Sequence, residues 1–481
     1  MTIKPLVTCL LLLLLGTQSK AQQRWNLRTI VEYAMANNIT VKQSEVQSRV
    51  SELIYKQSRL SQFPNVNFST GGSVNSGSNQ DPTTFSRITQ SYLATNMQLQ
   101  SSADIFNFFS KRNTIEANDW ELQAARANID KLKNDIALTA ANGYLQVLLA
   151  KEQENVTKIQ VSQTQAQLTN TRKLVDAGSL PELNASQLEA QLALDSVNYI
   201  TARGNVTQSI FLLKSYMNIE ADAPFNVDTP PVESIPVEPI ADLQPDFVYK
   251  LAMTNQPLQR VNDFRIKAAE KSTLAARGAM LPSLSAFGSL GSGYNNQAQT
   301  ITGFTQTISP TPIPIGTVNV SGTPYTVFTQ PISNSANTAK TTFTDQFSDN
   351  FRQTLGLNIS VPIFNGGNLR TNYMRSQLNI TSLQLQKKQD DQKLKQDIYQ
   401  AHNSAVVALE KFNASKKTVD INQITYNYAA KRFDVGMLST FDLITTQNNL
   451  LRAKLEYTIN RFDYVFKMKV LEFYKGQGLK L

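Results

Sequence analysis

From Phe351 onward, apolar residues fall on alternate positions: Leu355, Leu357, Ile359, Val361 and Ile363. Arg352, Thr354, Gly356, Asn358 and Ser360 lie between them. A period of two predicts a strand with one apolar and one polar face. Leu93, Met97 and Leu99 against Asn96, Gln98 and Gln100 predict a second strand of the same kind. Weaker segments rich in Gly and Ser precede each of them, at 65–74 and 283–291. The pattern therefore predicts four strands in two hairpins, with connecting loops at roughly 75–90 and 295–346. The second loop is rich in Thr, Ser, Asn, Gly and Pro.

The rest of the chain reads as helix. Residues 107–175 run 69 positions with no Pro and only Gly143, and 368–435 run 68 positions with neither. At about 1.5 Å per residue each reaches on the order of 100 Å, far beyond an ordinary globular helix. Shorter helices of 36 residues are predicted at 27–62 and 182–217. Their combined length nearly equals one long helix, so two short helices stacked end to end can pack along a long one.

The chain is an internal duplication. Ala34-Met35 and Asn37 recur as Ala252-Met253 and Asn255, a shift of 218 that also pairs Glu52 with Glu270. Ile105-Phe106-Asn107 recurs as Ile363-Phe364-Asn365, a shift of 258 that pairs Arg112 with Arg370, Gly178 with Gly436 and Leu180 with Leu438. The 40-residue difference between the two shifts places an insertion between about 290 and 350 of the second copy. The resulting plan is a first repeat at 22–219, a Pro-rich strap at 220–245, a second repeat at 246–475 and a tail at 476–481. Pro224, Pro230, Pro231, Pro236, Pro239 and Pro245 make the strap extended.

Composition narrows the function. Lys4, the apolar run Leu6–Leu15 and the small residues Ser19 and Ala21 predict a secretory signal cut after Ala21, leaving residues 1–21 outside the mature chain. Cys9 lies inside the apolar run, without the flanks of a lipid-attachment signal. The mature chain then has no Cys, which excludes disulfides, thiol nucleophiles and thiolate metal sites. The single His402 cannot form a multi-His metal site and reads as a helix-face residue. Removing Lys4 and Lys20 from the formal charge of +9 leaves +7. Only 17% of residues are charged and no dense Lys/Arg block occurs, so the basic balance reads as a solvated surface, not as nucleic-acid binding. There is no phosphate-binding loop of the Gly-x-x-x-x-Gly-Lys-Ser/Thr kind, no acid/base constellation and no expected cofactor. No later apolar run approaches the ~20 residues of a membrane-spanning helix, a test that leaves strand barrels open.

About ten residues with one apolar face suit a membrane barrel, apolar side to lipid and polar side to lumen. Four strands cannot close, and an open edge in hydrocarbon leaves each unpaired backbone group at a cost of several kcal/mol. Three copies supply twelve strands, so a homotrimer is expected.

These residues resemble the outer-membrane efflux protein family of Gram-negative bacteria, the TolC-like channel-tunnels. The resemblance spans the mature chain and rests on Val361-Pro362-Ile363-Phe364-Asn365-Gly366-Gly367, the two Gly-containing helix–helix turns and the duplication. It implies an α+β membrane protein: a trimeric 12-stranded β-barrel continued by a long periplasmic α-helical barrel. Pro362, Gly366 and Gly367 would form the strand-to-helix bend, where the first copy has Phe108-Phe109 instead. The turns Gly178-Ser179-Leu180 and Gly436-Met437-Leu438 would contact a periplasmic adaptor protein, which joins the duct to an inner-membrane transporter. Six residues beyond each glycine, Asn184 and Asp442 would stand at the periplasmic aperture; Asp442 is equally placed to stabilise a helix start. The expected function is a passive exit duct rather than an enzyme. A helical stalk or adhesin is the competing reading, which strand alternation and a Pro-rich collar disfavour, and an exported enzyme is the third.

Overall fold

The computed structural model describes residues 24–80, 85–230 and 235–476. The expected signal segment 1–21, strap residues 231–234 and tail residues 477–481 lie outside them. The helices are α1 (Leu27–Asn37), α2 (Ile39–Leu60), α3 (Ser110–Asp176), α4 (Glu182–Met217), α5 (Pro245–Asn255), α6 (Pro257–Gly278), α7 (Phe343–Asp349), α8 (Asn368–Asp434) and α9 (Thr440–Tyr474). The strands are β1 (Arg24–Trp25), β2 (Asn65–Gln80), β3 (Arg87–Phe106), β4 (Asn226–Val227), β5 (Ser283–Asn295), β6 (Gln299–Ile308), β7 (Ile313–Val320), β8 (Thr323–Thr329), β9 (Ile332–Lys340) and β10 (Arg352–Ser360). Packing divides the chain into a largely helical unit (residues through Tyr55, 116–271 and 376 onward) and a strand-bearing unit (56–115 and 272–375).

The two long helices form as expected, each with 67 residues. The single helix expected over 27–62 does not. It breaks at Asn38, which adopts φ −61° and ψ 133°. The Asn38 side chain accepts from the Thr40 amide at 2.9 Å and donates to the Tyr216 carbonyl at 2.9 Å. The break is thus stabilised by the residue that makes it. Its counterpart is Gln256, at ψ 129°, where Pro257 excludes the preceding residue from helical geometry. The two positions differ by the 218-residue repeat offset.

The duplication is visible in the core of the helical unit. Ala34, Ala140, Val147 and Leu213 are fully buried in one cluster, with Trp25, Tyr144, Met217 and Phe462. Their repeat partners Ala252, Ile398, Ala405 and Leu471 are fully buried in a second, with Leu243 and Met468. Small buried side chains let the helices approach closely: a Cβ on Gly143 would lie 3.2 Å from the Tyr216 ring. The C-terminal aromatics pack into the same unit, Phe462 and Phe473 buried and Tyr464 stacked on Phe412. A buried polar layer ties α3, α4 and α9. Asp195 accepts from Thr164 at 2.6 Å and Gln191 at 2.8 Å, Gln447 donates to Thr164 at 2.9 Å, and Gln191 pairs with Asn448.

The strap is fastened by backbone contacts. β1 and β4 pair in parallel, and Trp25 stacks on Phe225. Tyr144 donates to the Asp228 carbonyl and Lys151 to that of Val227. Buried Lys214 donates to the carbonyls of Ala221 and Ala223 at 2.7 and 2.6 Å. Burial, helped by the nearby Asp228 charge, pushes the Tyr144 hydroxyl up to about 12. Burial also lowers the Lys151 ammonium, against the pull of Glu154 and Asp228.

In the other unit, four strands form one antiparallel sheet in the order β10-β5-β3-β2. Register sorts the side chains cleanly. Phe68, Leu99, Leu290 and Leu355 share one face with Val66, Val74, Leu357 and Ile359; Asn67, Gln98, Gln100, Ser289, Thr354 and Asn358 share the other. α7 packs on Ser292 and Tyr294 at one end of the apolar face, and the rest is uncovered, Leu355 being 88% exposed. Two expected loops are corrected. Most of 75–90 is strand, because β2 runs to Gln80 and β3 starts at Arg87. The insertion at 295–346 is also built: β6 pairs with β9, β7 pairs with β8, and α7 begins at Phe343. Buried Gln346 holds its base, accepting from the Asn295 amide and donating to the Asn295 and Thr341 carbonyls. Thr-rich composition masked these strands because both faces of a surface hairpin can be polar.

Candidate functional site

The chain turns at two helical tips with one geometry. After α3, Gly178 takes φ 71°; its amide donates to the Val175 carbonyl at 2.9 Å, and that of Ser179 donates to the Leu174 carbonyl at 2.8 Å. After α8, Gly436 takes φ 74°; its amide donates to the Phe433 carbonyl at 2.9 Å, and that of Met437 to the Arg432 carbonyl at 2.8 Å. This bond pair closes a helix around a left-handed residue, a conformation that glycine adopts without penalty. The two tips are neighbours, since Ile444 of α9 packs on the cluster of Leu168, Ala185 and Leu188 beneath the first tip.

Their surfaces differ. Leu438 is half-buried against a cluster that includes Phe433 and Leu443, and Leu180 is half-buried as well. The exposed apolar groups are Val435 at 69%, Met437 at 67% and Phe441 at 67%. At the corresponding positions of the first repeat stand Ala177, Ser179 and Leu183, making the second tip the more apolar. Phe441 and Leu183 escaped the sequence reading. The signal was present: Phe441 and Leu183 are apolar at the same offset beyond each glycine, in a first helical turn.

Asp442 is exposed and tied locally. The Ser439 hydroxyl accepts from the Asp442 amide at 3.1 Å and donates to its carboxylate at 2.7 Å, capping α9. Asn184, half-buried, donates its amide to the Pro181 carbonyl at 3.0 Å, and Pro181 offers no side-chain cap. Thus Asp442 serves as a helix-start residue while its charge still faces solvent.

The strand-to-helix bends resolve a second question. Pro362 stands two residues beyond the end of β10 and has no amide to extend a ladder. Gly366 and Gly367 take φ 66° and 80° with open space around them. Phe108 and Phe109 take φ 46° and 61°, so the first copy makes the same bend with the wrong residue type. Left-handed backbone costs a side-chain-bearing residue about 1–2 kcal/mol each. Contacts hold it in place: Phe106 packs on both rings at 4.8 and 5.9 Å. The Ser110 hydroxyl also donates to the Ala275 carbonyl at 2.8 Å. Gly278 is obligatory beside them, since a Cβ there would lie 2.8 Å from the Phe108 carbonyl.

Among the described residues no group of three His, Cys, Asp or Glu side chains gathers, and no helix is long and apolar enough to cross a membrane.

The chain is 22% identical over 373 residues to outer membrane protein TolC of Escherichia coli, covering 77% of this chain and 67% of that one. It is 19% identical over 434 residues to outer membrane efflux protein BepC of Brucella suis, covering 90% and 81%. A crystal structure of CusC, described in terms of transmembrane channel formation, matches with a TM-score of 0.74 at 15% identity, over 94% of this chain and 92% of that one. The family model for outer membrane efflux proteins matches residues 30–218 and 248–464, one segment in each repeat, and the chain therefore belongs to the outer membrane efflux protein family.

Proposed function

We propose that three copies of this chain form a passive exit duct through the outer membrane, which a periplasmic adaptor protein joins to an inner-membrane transporter. The observation that carries this reading is the sheet. It has one apolar and one polar face, and its outer strands β2 and β10 each keep an unpaired edge among the described residues. In hydrocarbon an unpaired backbone group costs several kcal/mol, so β10 of one copy pairs with β2 of the next. Twelve strands then close, with Leu355, Leu357 and Ile359 toward lipid and the polar face toward the lumen.

The long helices continue the duct into the periplasm and end at the tips. There Gly178, Ser179, Leu180, Gly436, Met437 and Leu438 meet the adaptor, with exposed Val435 and Phe441 enlarging the second contact. Asp442 and Asn184 stand at the periplasmic aperture, where a trimer presents three carboxylates. Pro362, Gly366 and Gly367 turn strand into helix. Energy comes from the transporter, since the duct has no nucleotide-binding motif.

The test is conductance in a planar bilayer by detergent-purified protein whose mass is that of a trimer. Stepwise channels are expected. In Asp442→Ala trimers, cation preference and block by multivalent cations added from the periplasmic side should weaken. A natively assembled trimer that does not conduct would overturn the duct. Unchanged block in the Asp442→Ala protein would remove only the aperture assignment.

A further inference from the structure

The polar face of the sheet carries almost no charge. Among the described residues whose register places them on it, the Asp, Glu, Lys and Arg side chains are Asp104 of β3 and Arg352 of β10. Asp104 is neutralised where it stands, its carboxylate 2.8 Å from the Lys111 ammonium. Arg352 is exposed at the first position of β10, opposite Gly291. Gly291 and Gly293 put no side chain on this face, and a hollow of about 590 Å³ opens beside the arginine. Asn96, Gln98, Ser289 and Thr354 also line it. An arginine fork beside amide and hydroxyl groups, with no carboxylate among the lining residues, suits an anionic oxygen group.

Electrostatics gives the position its reach. Twelve strands about 4.8 Å apart and tilted by about 40° enclose a backbone radius of about 12 Å. The screening length is about 10 Å in 0.1 M salt and about 30 Å in 0.01 M. Three arginines at one level therefore act on the whole bore at low salt. From Gln98, level with Arg352 across Gly291, to Asp104 is six residues along β3, or roughly 20 Å at strand rise, so the paired Asp104 does not offset them locally.

We propose that Arg352 makes the barrel section of the duct favour anions and that the hollow beside it is a weak seat for phosphate- or carboxylate-bearing solutes. The proposal rests on the reading of the polar face as lumen. It divides the duct into an outer stage that attracts anions and a periplasmic aperture, at Asp442, that attracts cations.

Arg352→Gln, Arg352→Lys and native trimers are to be compared in bilayers at low salt, each also with Asp442→Ala to silence the aperture. Reversal potentials in a KCl gradient give the permeability ratio, and inorganic triphosphate added from the outer side probes the seat. Arg352→Gln should lower the anion-to-cation permeability ratio several-fold and weaken triphosphate block about tenfold. Arg352→Lys should retain the ratio, because the charge remains, while losing part of the block, because the fork is gone. Arg352→Gln trimers with native single-channel conductance, native ratio and native block would overturn the proposal and leave the duct standing. Native trimers that do not conduct would overturn the duct itself.

Discussion

Glycine at the tips and glycine within a helix invite opposite predictions. Gly436 has φ 74° and nothing within 4 Å of an added Cβ, so a side chain there meets strain without a clash. Gly436→Ala should loosen the tip by about 1 kcal/mol, read as roughly fivefold faster amide exchange at 432–438. Gly204 lies inside α4, also with open space around it but with ordinary helical backbone. Gly204→Ala should instead stabilise the chain by roughly 0.5–1 kcal/mol in thermal unfolding. Tyr144 supplies a pH dependence. Its hydroxyl titrates at 10.0 when solvated and at about 12 in the fold. The folded state therefore holds this proton where the unfolded state has lost it, and its contribution to stability is complete below pH 10 and fades as pH rises toward 12. Melting temperature should fall more steeply over that window in the native protein than in Tyr144→Phe; parallel slopes would remove Tyr144 as the cause.

At the scale of elements, the tips separate packing from contact. Leu438 is half-buried on Phe433 and Leu443, so Leu438→Glu both weakens the tip and alters its surface. Met437 and Phe441 are exposed and pack on little. Met437→Glu and Phe441→Glu should abolish export while trimer mass and melting temperature stay native, because bulk and charge at a docked tip desolvate badly. Full export by either variant at normal outer-membrane abundance would move the docking surface elsewhere. The polar layer around Asp195 lies deeper in the same helices. Its donors are directional, so it fixes how α3, α4 and α9 stand in register, where apolar contacts alone would tolerate sliding.

For the whole molecule, the second repeat differs from the first chiefly in its insertion. The nested pairs β6–β9 and β7–β8 share no sheet with the four strands. Replacing residues 303–337 with a short turn, while keeping Asn295 and Gln346 at the base, should leave a conducting trimer. Loss of trimer on excision would make the insertion part of the assembly. The outer-membrane location belongs to the family as a whole. The sheet explains it physically, since its apolar face, beyond the end that α7 covers at Ser292 and Tyr294, is exposed and needs lipid.

The sequence alone identified the two long helices by their Pro-free runs, the amphipathic face of β10 by its alternation and the duplication by its recurring motifs, because each is written locally in the chain. It also placed Gly178, Gly436, Gly366 and Gly367, since left-handed backbone leaves its mark in residue type. It misread 27–62 as one helix, since the interruption at Asn38 is stabilised by the distant Tyr216 carbonyl, which no local window contains. It misread 295–346 as loop, since exposed hairpins need no alternation. Phe108 and Phe109 show the limit most plainly: their residue type argues against the bend that they make. The neighbouring Phe106 ring and the distant contacts of Ser110 with Ala275 and of Phe108 with Gly278 hold that bend in place. Only the folded tip sorts Leu438 inward from Met437 and Phe441 outward, because burial depends on what packs beneath a turn.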